Sequence, residues 1–316
     1  MRIVVLESVE MTEQQADRLS RLGSVEHYSG LSEQECREKV KDADVVVVDW
    51  VDPSNFILDM KSPSLLALMS TGYDWISHRA KAAERGVLIS NVPGYATEAV
   101  AEHILGLALC VARQTAFADR EIKAGKKDKA HLRGIELSGR QIGIIGLGQI
   151  GRRVAEIATA LGMRVVTYNR HPKSALPIKD VPLNDLLSTS DLVCVCCPLN
   201  DDSREMLGKE RLGLLRSDAV IVATTWGVVV IDDLIPLMEK GRIRGAGLDV
   251  AVEGGSIELP DALLRLNNAV LTPHIAFNTV EAKGRQVDIC ISNVGSFLAG
   301  NPINTVNRLP QKRGCG

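Results

Sequence analysis

Six residues, Gly146-Leu147-Gly148-Gln149-Ile150-Gly151, carry the strongest chemical signal in the chain. An apolar run, Gln141–Ile145, precedes them and a helical pattern, Ile150–Leu161, follows. In that context three glycines at this spacing make a turn that receives a pair of phosphates. The first glycine permits the tight turn, the second lets backbone approach a pyrophosphate, and the third lets helix pack on strand. Free N–H groups and the positive dipole end of the following helix complete the anion site. The expected ligand is a nicotinamide dinucleotide held by Gly146, Gly148, Gln149, Ile150 and Gly151.

The next strand ends Val166-Thr167-Tyr168-Asn169-Arg170-His171. A carboxylate at such a strand tip bonds the ribose hydroxyls of NAD, and Asn169 stands there instead. Arg170 and His171 suit a 2′-phosphate, with no carboxylate beside them to repel it. The expectation is NADP. NAD remains possible if Asn169 serves the ribose and Arg170 is a solvated surface charge.

These residues need strands to place them, and the chain supplies a βα rhythm. Short apolar runs read as strands at Ile3–Leu6, Val45–Val48, Leu65–Met69 and Val87–Ser90. A second series runs Ile142–Ile145, Arg164–Tyr168, Leu192–Cys196, Ala219–Ala223, Gly245–Asp249 and Ala269–Leu271. Helical spacing intervenes, as at Glu13–Leu22. Such alternation predicts parallel sheets with right-handed crossovers. Thr97–Ala116 reads as a helix apolar on nearly all sides, which calls for burial between domains or subunits. Residues 120–135 read as polar surface loop, and a last helix runs near Lys283–Ala299 before a loose tail.

Composition narrows the class. A chain of 316 residues suits two domains of about 150 each. A net charge of −2 without a basic block argues against nucleic acid or an anionic membrane surface as partner. No apolar run approaches the ~18 residues of a membrane span. Met1-Arg2-Ile3-Val4-Val5-Leu6 reads as a first strand rather than a signal peptide. A cytoplasmic protein acting on a small molecule is expected. The seven cysteines fit reduced thiols. Cys194, Cys196 and Cys197 fall in an apolar strand whose alternation sends the first two to one face and the third to the other. They read as packing residues, and no metal site is expected.

Ordered landmarks point further. Ser70-Thr71-Gly72-Tyr73-Asp74-Trp75-Ile76, Asn91-Val92-Pro93-Gly94 and Val100-Ala101-Glu102-His103 precede the glycine turn. Pro198-Leu199, Gly247-Leu248-Asp249-Val250 and Thr272-Pro273-His274-Ile275 follow it at suitable intervals. In these motifs the chain resembles the D-isomer-specific 2-hydroxyacid dehydrogenases over nearly its whole length. The resemblance implies an α/β architecture of two Rossmann-like, doubly wound parallel-sheet domains. A dinucleotide-binding domain, residues 97–283, is then inserted into a split flavodoxin-like outer domain, residues 1–96 and 284–316. A cleft between them and a homodimer are implied as well. So is a place for Pro198, Thr224 and Asp249 at the cofactor. Backbone N–H groups around Ser70, Thr71, Gly72 and Tyr73 would hold a substrate carboxylate.

Catalysis in that family uses an arginine, a glutamate and a histidine. The histidine matches His274, which would protonate the substrate as hydride arrives and reverse the step in oxidation. The arginine does not match, because Val222-Ala223-Thr224-Thr225-Trp226-Gly227 puts Trp226 in its place. Indole offers one N–H and a flat apolar face, and can neither clamp a carboxylate nor polarise a carbonyl. The glutamate position falls on Gly254, with Glu253 one residue earlier. Glu253 either takes the role through a rearranged loop or is a solvated charge. Tyr73, Trp75 and Trp226 are candidates for an aromatic pocket wall, although Trp75 reads more simply as packing.

Two departures beside an intact cofactor turn predict an NAD(P)-dependent oxidoreductase with a non-standard substrate. Hydride would pass to or from a carbonyl, imine or related carbon other than a simple 2-oxo acid, with His274 as acid/base. Two other readings stay open: a nucleotide-binding sensor or scaffold with little turnover, and a redox-neutral enzyme with a retained cofactor.

Overall fold

The computed structural model describes residues 1–128, 130–170, 178–250 and 259–307. The chain divides into two compact units, Met1–Ala96 with Thr279–Gly316, and Thr97–Asn278.

The first unit opens β1 (Arg2–Val5), α1 (Glu13–Ser20), β2 (Ser24–His27), α2 (Glu33–Val40) and β3 (Val45–Val48). It continues with β4 (Ser64–Leu68), α3 (Arg79–Glu84) and β5 (Val87–Ser90). The strands pair in parallel in the order β2-β1-β3-β4-β5. All residues of β3 and β4 are buried, as strands covered on both faces require. Edge strand β2 carries a single valine and buries none of its residues, so its pattern does not announce a strand. Helices α1 and α2 begin in capping boxes, Thr12 with Gln15 and Ser32 with Glu35, each satisfying two otherwise unpaired N–H groups.

The second unit begins with α4 (Thr97–Arg113), α5 (Thr115–Lys123), β6 (Gln141–Ile145), α6 (Gln149–Ala160), β7 (Arg164–Tyr168) and β8 (Lys179–Asp180). There follow α7 (Leu183–Thr189), β9 (Leu192–Val195), α8 (Lys209–Leu212), β10 (Val220–Ala223) and α9 (Ile231–Glu239). Last come β11 (Gly245–Asp249), α10 (Asp261–Arg265) and β12 (Ala269–Thr272). This sheet is also parallel, in the order β12-β11-β10-β9-β6-β7-β8. Chain order reverses between β6 and β9. Both units are thus doubly wound α/β sheets, parallel as the βα rhythm predicts and doubly wound as the resemblance implies.

The chain returns to the first unit at Thr279, whose side chain caps α11 (Val280–Leu298) by accepting from the Ala282 N–H. The crossing therefore lies ahead of residue 284, because the cap and not the apolar pattern marks the helix start. Buried Gln286 and Asn293 of α11 donate to the carbonyls of Met69 and Asn91 and tie the returning helix to the first sheet.

Helix α4 corrects the expectation of an all-round apolar face. It packs on α6, β10 and β11, but Glu98, Glu102, Gly106, Leu109 and Arg113 form an exposed stripe at helical spacing. The helix ends at Arg113 because Gln114 takes a left-handed φ of 57°. Helix α5 follows, so the segment expected as loop from residue 120 begins as helix. Among the described residues no helix is long and apolar enough to cross a membrane.

Candidate active site

Parallel strands deliver all their following loops to one edge. In the second unit β6 carries the glycine turn there, β7 Asn169 and Arg170, and β9 Pro198. Strand β10 carries Thr224 and Trp226, β11 ends on Asp249, and β12 carries His274. Open α/β sheets bind ligands at this edge, where the strand order reverses.

The glycine turn sits at that reversal. Gly146 has φ 95°, and a Cβ there would lie 2.7 Å from the Cys197 nitrogen on the loop after β9. A Cβ on Gly151 would collide with the Gly146 carbonyl oxygen, so only glycine lets α6 start this close to the turn. Gly148, the cap of α6, differs: a Cβ there would meet nothing within 4 Å. That open approach over a helix N-terminus fits the pyrophosphate of a dinucleotide. Gln149 opens the helix and accepts from the Thr97 hydroxyl at 3.3 Å, and Ile150 follows it. Cys194 is fully buried, and burial pushes the Cys196 thiol up to about 12, which suits packing residues.

Asn169 is held from both sides. Its Oδ1 accepts from the Leu147 N–H at 2.6 Å, and its Nδ2 donates to Asp180 Oδ1 at 3.0 Å. The Thr167 hydroxyl donates to the same carboxylate oxygen at 3.0 Å. The expectation that no carboxylate attends this strand tip is therefore corrected. Two-residue β8 brings one in, and a strand that short and polar leaves no pattern to read. Arg170 pairs with Asp202 on the loop after β9, both largely exposed. His171 lies outside the described residues. The Pro198 carbonyl accepts from the Ser203 hydroxyl at 2.7 Å, which closes the Asp202 loop.

Asp249 holds the loop that presents His274. Its Oδ1 accepts from the Thr272 hydroxyl at 2.6 Å and the Ile275 N–H at 2.9 Å. Its Oδ2 accepts from the Ala276 N–H at 2.9 Å. The His103 Nε2 lies 3.0 Å from the Thr272 hydroxyl and 3.8 Å from Asp249 Oδ1. His274 sits in the left-handed region, φ 52°, with its N–H on the Thr272 carbonyl across Pro273. A non-glycine residue there costs energy, and the buried carboxylate behind it fixes the turn. Asp249, expected at the cofactor, thus directs its carboxylate to the histidine loop. Glu253 and Gly254 lie outside the described residues.

Trp226 is half-buried and packs, with Leu199, against the apolar core of the second unit. Gly227 after it has φ 84°, which sharpens the turn out of β10. Thr224, the first residue past that strand, is partly exposed.

In the first unit Ser70–Tyr73 follow β4. Asn91 donates through Nδ2 to the Thr71 carbonyl at 2.7 Å, and the Val92 N–H to that of Ser70 at 3.1 Å. The N–H groups of Thr71, Gly72 and Tyr73 donate to no acceptor among the described residues. A row of unpaired N–H groups in a turn is an anion-binding concavity. Trp75, read as packing, is exposed, and its indole N–H holds the Gly72 carbonyl at 3.2 Å.

Comparison with known proteins gives the family. The family model described as D-isomer specific 2-hydroxyacid dehydrogenase, NAD binding domain, matches residues 105–276. A hydroxypyruvate reductase of Blautia hydrogenotrophica is 30% identical over 98% of this chain and 100% of its own length. A glyoxylate reductase of Korarchaeum cryptofilum is 35% identical over 86% of this chain and 85% of its own. Among solved structures, an acyclic imino acid reductase, Bsp5, in complex with NADPH and D-Arg superposes with a TM-score of 0.86. It is 28% identical over 97% of this chain and 100% of that one. The chain belongs to the D-isomer-specific 2-hydroxyacid dehydrogenases and is an NAD(P)-dependent oxidoreductase.

Proposed function

We propose that this enzyme uses NADPH to reduce the C=N bond of a carboxylate-bearing imine, in preference to glyoxylate, pyruvate or hydroxypyruvate. The observation that carries the reading is Trp226, an indole packed where the family's arginine would polarise the oxygen of a 2-oxo acid. A carbonyl needs that help, since negative charge develops on its oxygen as hydride arrives. An imine nitrogen is basic and accepts a proton directly, so it tolerates the loss. The superposition on an imino acid reductase supports the same choice.

In this mechanism the turn Gly146–Gly151 would hold the cofactor's pyrophosphate and Asn169 its adenosine ribose. The cofactor supplies hydride when bound. His274 gives its proton to the imine nitrogen as the C=N π pair moves there, and the carbon receives the hydride. The product is a secondary or primary amine. In the first unit the free Thr71–Tyr73 N–H groups suit a carboxylate, with Ser70 and Gly72 shaping the turn.

Initial rates with NADPH test the substrate class. The 2-oxo acids alone should turn over poorly, and the same acids with excess ammonia or methylamine should turn over well. Trp226→Arg should reverse the preference, gaining 2-oxo acid reduction and losing imine reduction. Efficient turnover of glyoxylate or hydroxypyruvate by the unmodified protein would refute the reading.

Cofactor choice rests on Arg170. Its exposed ion pair with Asp202 is weak, and a 2′-phosphate is a stronger bidentate partner. Asp202→Asn should tighten NADPH by about threefold and leave NADH unchanged, while Arg170→Ala should weaken NADPH selectively. Calorimetry showing both cofactors shifted alike, or tighter NADH binding by the unmodified protein, would favour NAD. We also infer a cytoplasmic homodimer formed through the second unit. Helix α5 buries none of its residues, its Ile122 is exposed, and so is Leu109 on α4.

A further inference from the structure

We propose that Arg79 is a positioning residue for a carboxylate bound at the Ser70–Ile76 loop, adding positive charge behind the loop's free N–H groups. The proposal rests on the reading that this loop binds a carboxylate.

The loop's peptide groups are all gripped at one end. The Ser70 carbonyl accepts from the Val92 N–H, and the peptide it belongs to carries the Thr71 N–H. The Thr71 carbonyl accepts from Asn91, and its peptide carries the Gly72 N–H. The Gly72 carbonyl accepts from the Ser70 hydroxyl at 2.8 Å and the Trp75 indole, and its peptide carries the Tyr73 N–H. The Tyr73 carbonyl accepts from Arg79 Nη1 at 2.7 Å and the Ile76 N–H at 3.2 Å, and its peptide carries the Asp74 N–H. None of these four N–H groups donates to an acceptor among the described residues. Each peptide is polarised from the carbonyl side, which strengthens its N–H as a donor.

One of these grips differs from the others. Arg79 alone brings a full charge, and a charged donor polarises its acceptor about twice as strongly as a neutral one. The same Nη1 also donates to the Ile76 carbonyl at 3.1 Å, and the guanidinium lies 5.7 Å from the Tyr73 ring centroid. One planar cation therefore pins both ends of the Tyr73–Ile76 turn and backs its aromatic residue. The opposing charge is Asp74, 3.8 Å from Nη2 and largely exposed, where water screens it. Arg79 opens α3 directly after His78, which takes a left-handed φ of 64°. A lysine would keep the charge but lose the fork and the flat face.

The test uses the full chain saturated with NADPH, titrated calorimetrically with malonate and with neutral malonamide. Arg79→Met should weaken malonate by about tenfold and leave malonamide and NADPH unchanged. In turnover it should raise KM by about the same factor with little change in kcat, and Arg79→Lys should recover part of the loss. Melting temperatures of both variants check the fold, and the milder lysine variant carries the test if the methionine variant does not fold. Unchanged malonate affinity in the variants overturns the role of Arg79. So does a parallel fall for malonate and malonamide, which marks a loosened loop without a charge effect. Failure of the unmodified protein to bind malonate overturns the carboxylate reading, and this proposal with it.

Discussion

Replacing Gly148 with valine should leave a folded protein that no longer binds a dinucleotide. The three glycines of the turn are not equivalent, and the structure separates their roles. A side chain on Gly146 would strike the Cys197 backbone, and one on Gly151 the Gly146 carbonyl. Substitution at either damages the fold, so lost binding there proves little. A Cβ on Gly148 meets nothing within 4 Å. It occupies only the space through which phosphate reaches the helix N-terminus. The expected loss of NADPH and NADH affinity is about hundredfold or more, with the melting temperature of the apo protein unchanged. Fluorescence titration with reduced cofactor measures it. Retained affinity in a folded Gly148→Val variant would remove the glycine turn from the cofactor site.

His274→Ala should lower kcat by roughly 10²–10⁴, the usual worth of a general acid. Binding of NADPH should be little changed, because the substitution leaves the glycine turn intact. Asp249→Asn should reproduce part of the loss by a separate route. The carboxylate accepts three hydrogen bonds from the 272–276 loop. An amide puts a donor where one oxygen accepted, at a cost of about 1.5–3 kcal/mol for bonds to a charged group. The histidine turn then relaxes from its left-handed conformation. Single-turnover rates distinguish the two variants: His274→Ala should be slow at every pH, while Asp249→Asn should keep a pH-dependent residual rate. An alanine variant that reduces the true substrate at full speed would show that the proton comes from elsewhere.

The contrast between these residues explains what the sequence discloses. The glycine turn is legible because three glycines, an apolar strand and a helix occupy consecutive positions and each has a stated physical reason. His274 is legible from its motif. Asp249 is visible as a residue but not as the holder of residues 272–276, since its partners lie more than twenty positions away and come together only when β11 and β12 pair. Asp180 is harder still, because a two-residue edge strand has no periodicity. Arg79 gives no signal in sequence: its partners are backbone carbonyls, and backbone has no letter code. Helix α4 misleads for the opposite reason. Glycine and one leucine on its outer stripe count as apolar in composition yet are exposed. The parallel character of both sheets, by contrast, follows from the alternation of strand and helix.

The division of the first unit also sets a calendar for synthesis. Its five strands leave the ribosome first, but Met69 and Asn91 keep unanswered carbonyls until Gln286 and Asn293 arrive on α11. The second unit is continuous, so it can close its core while the first is still waiting. Of the two units, the one begun first is then the one completed second, with its parallel sheet open while the other closes.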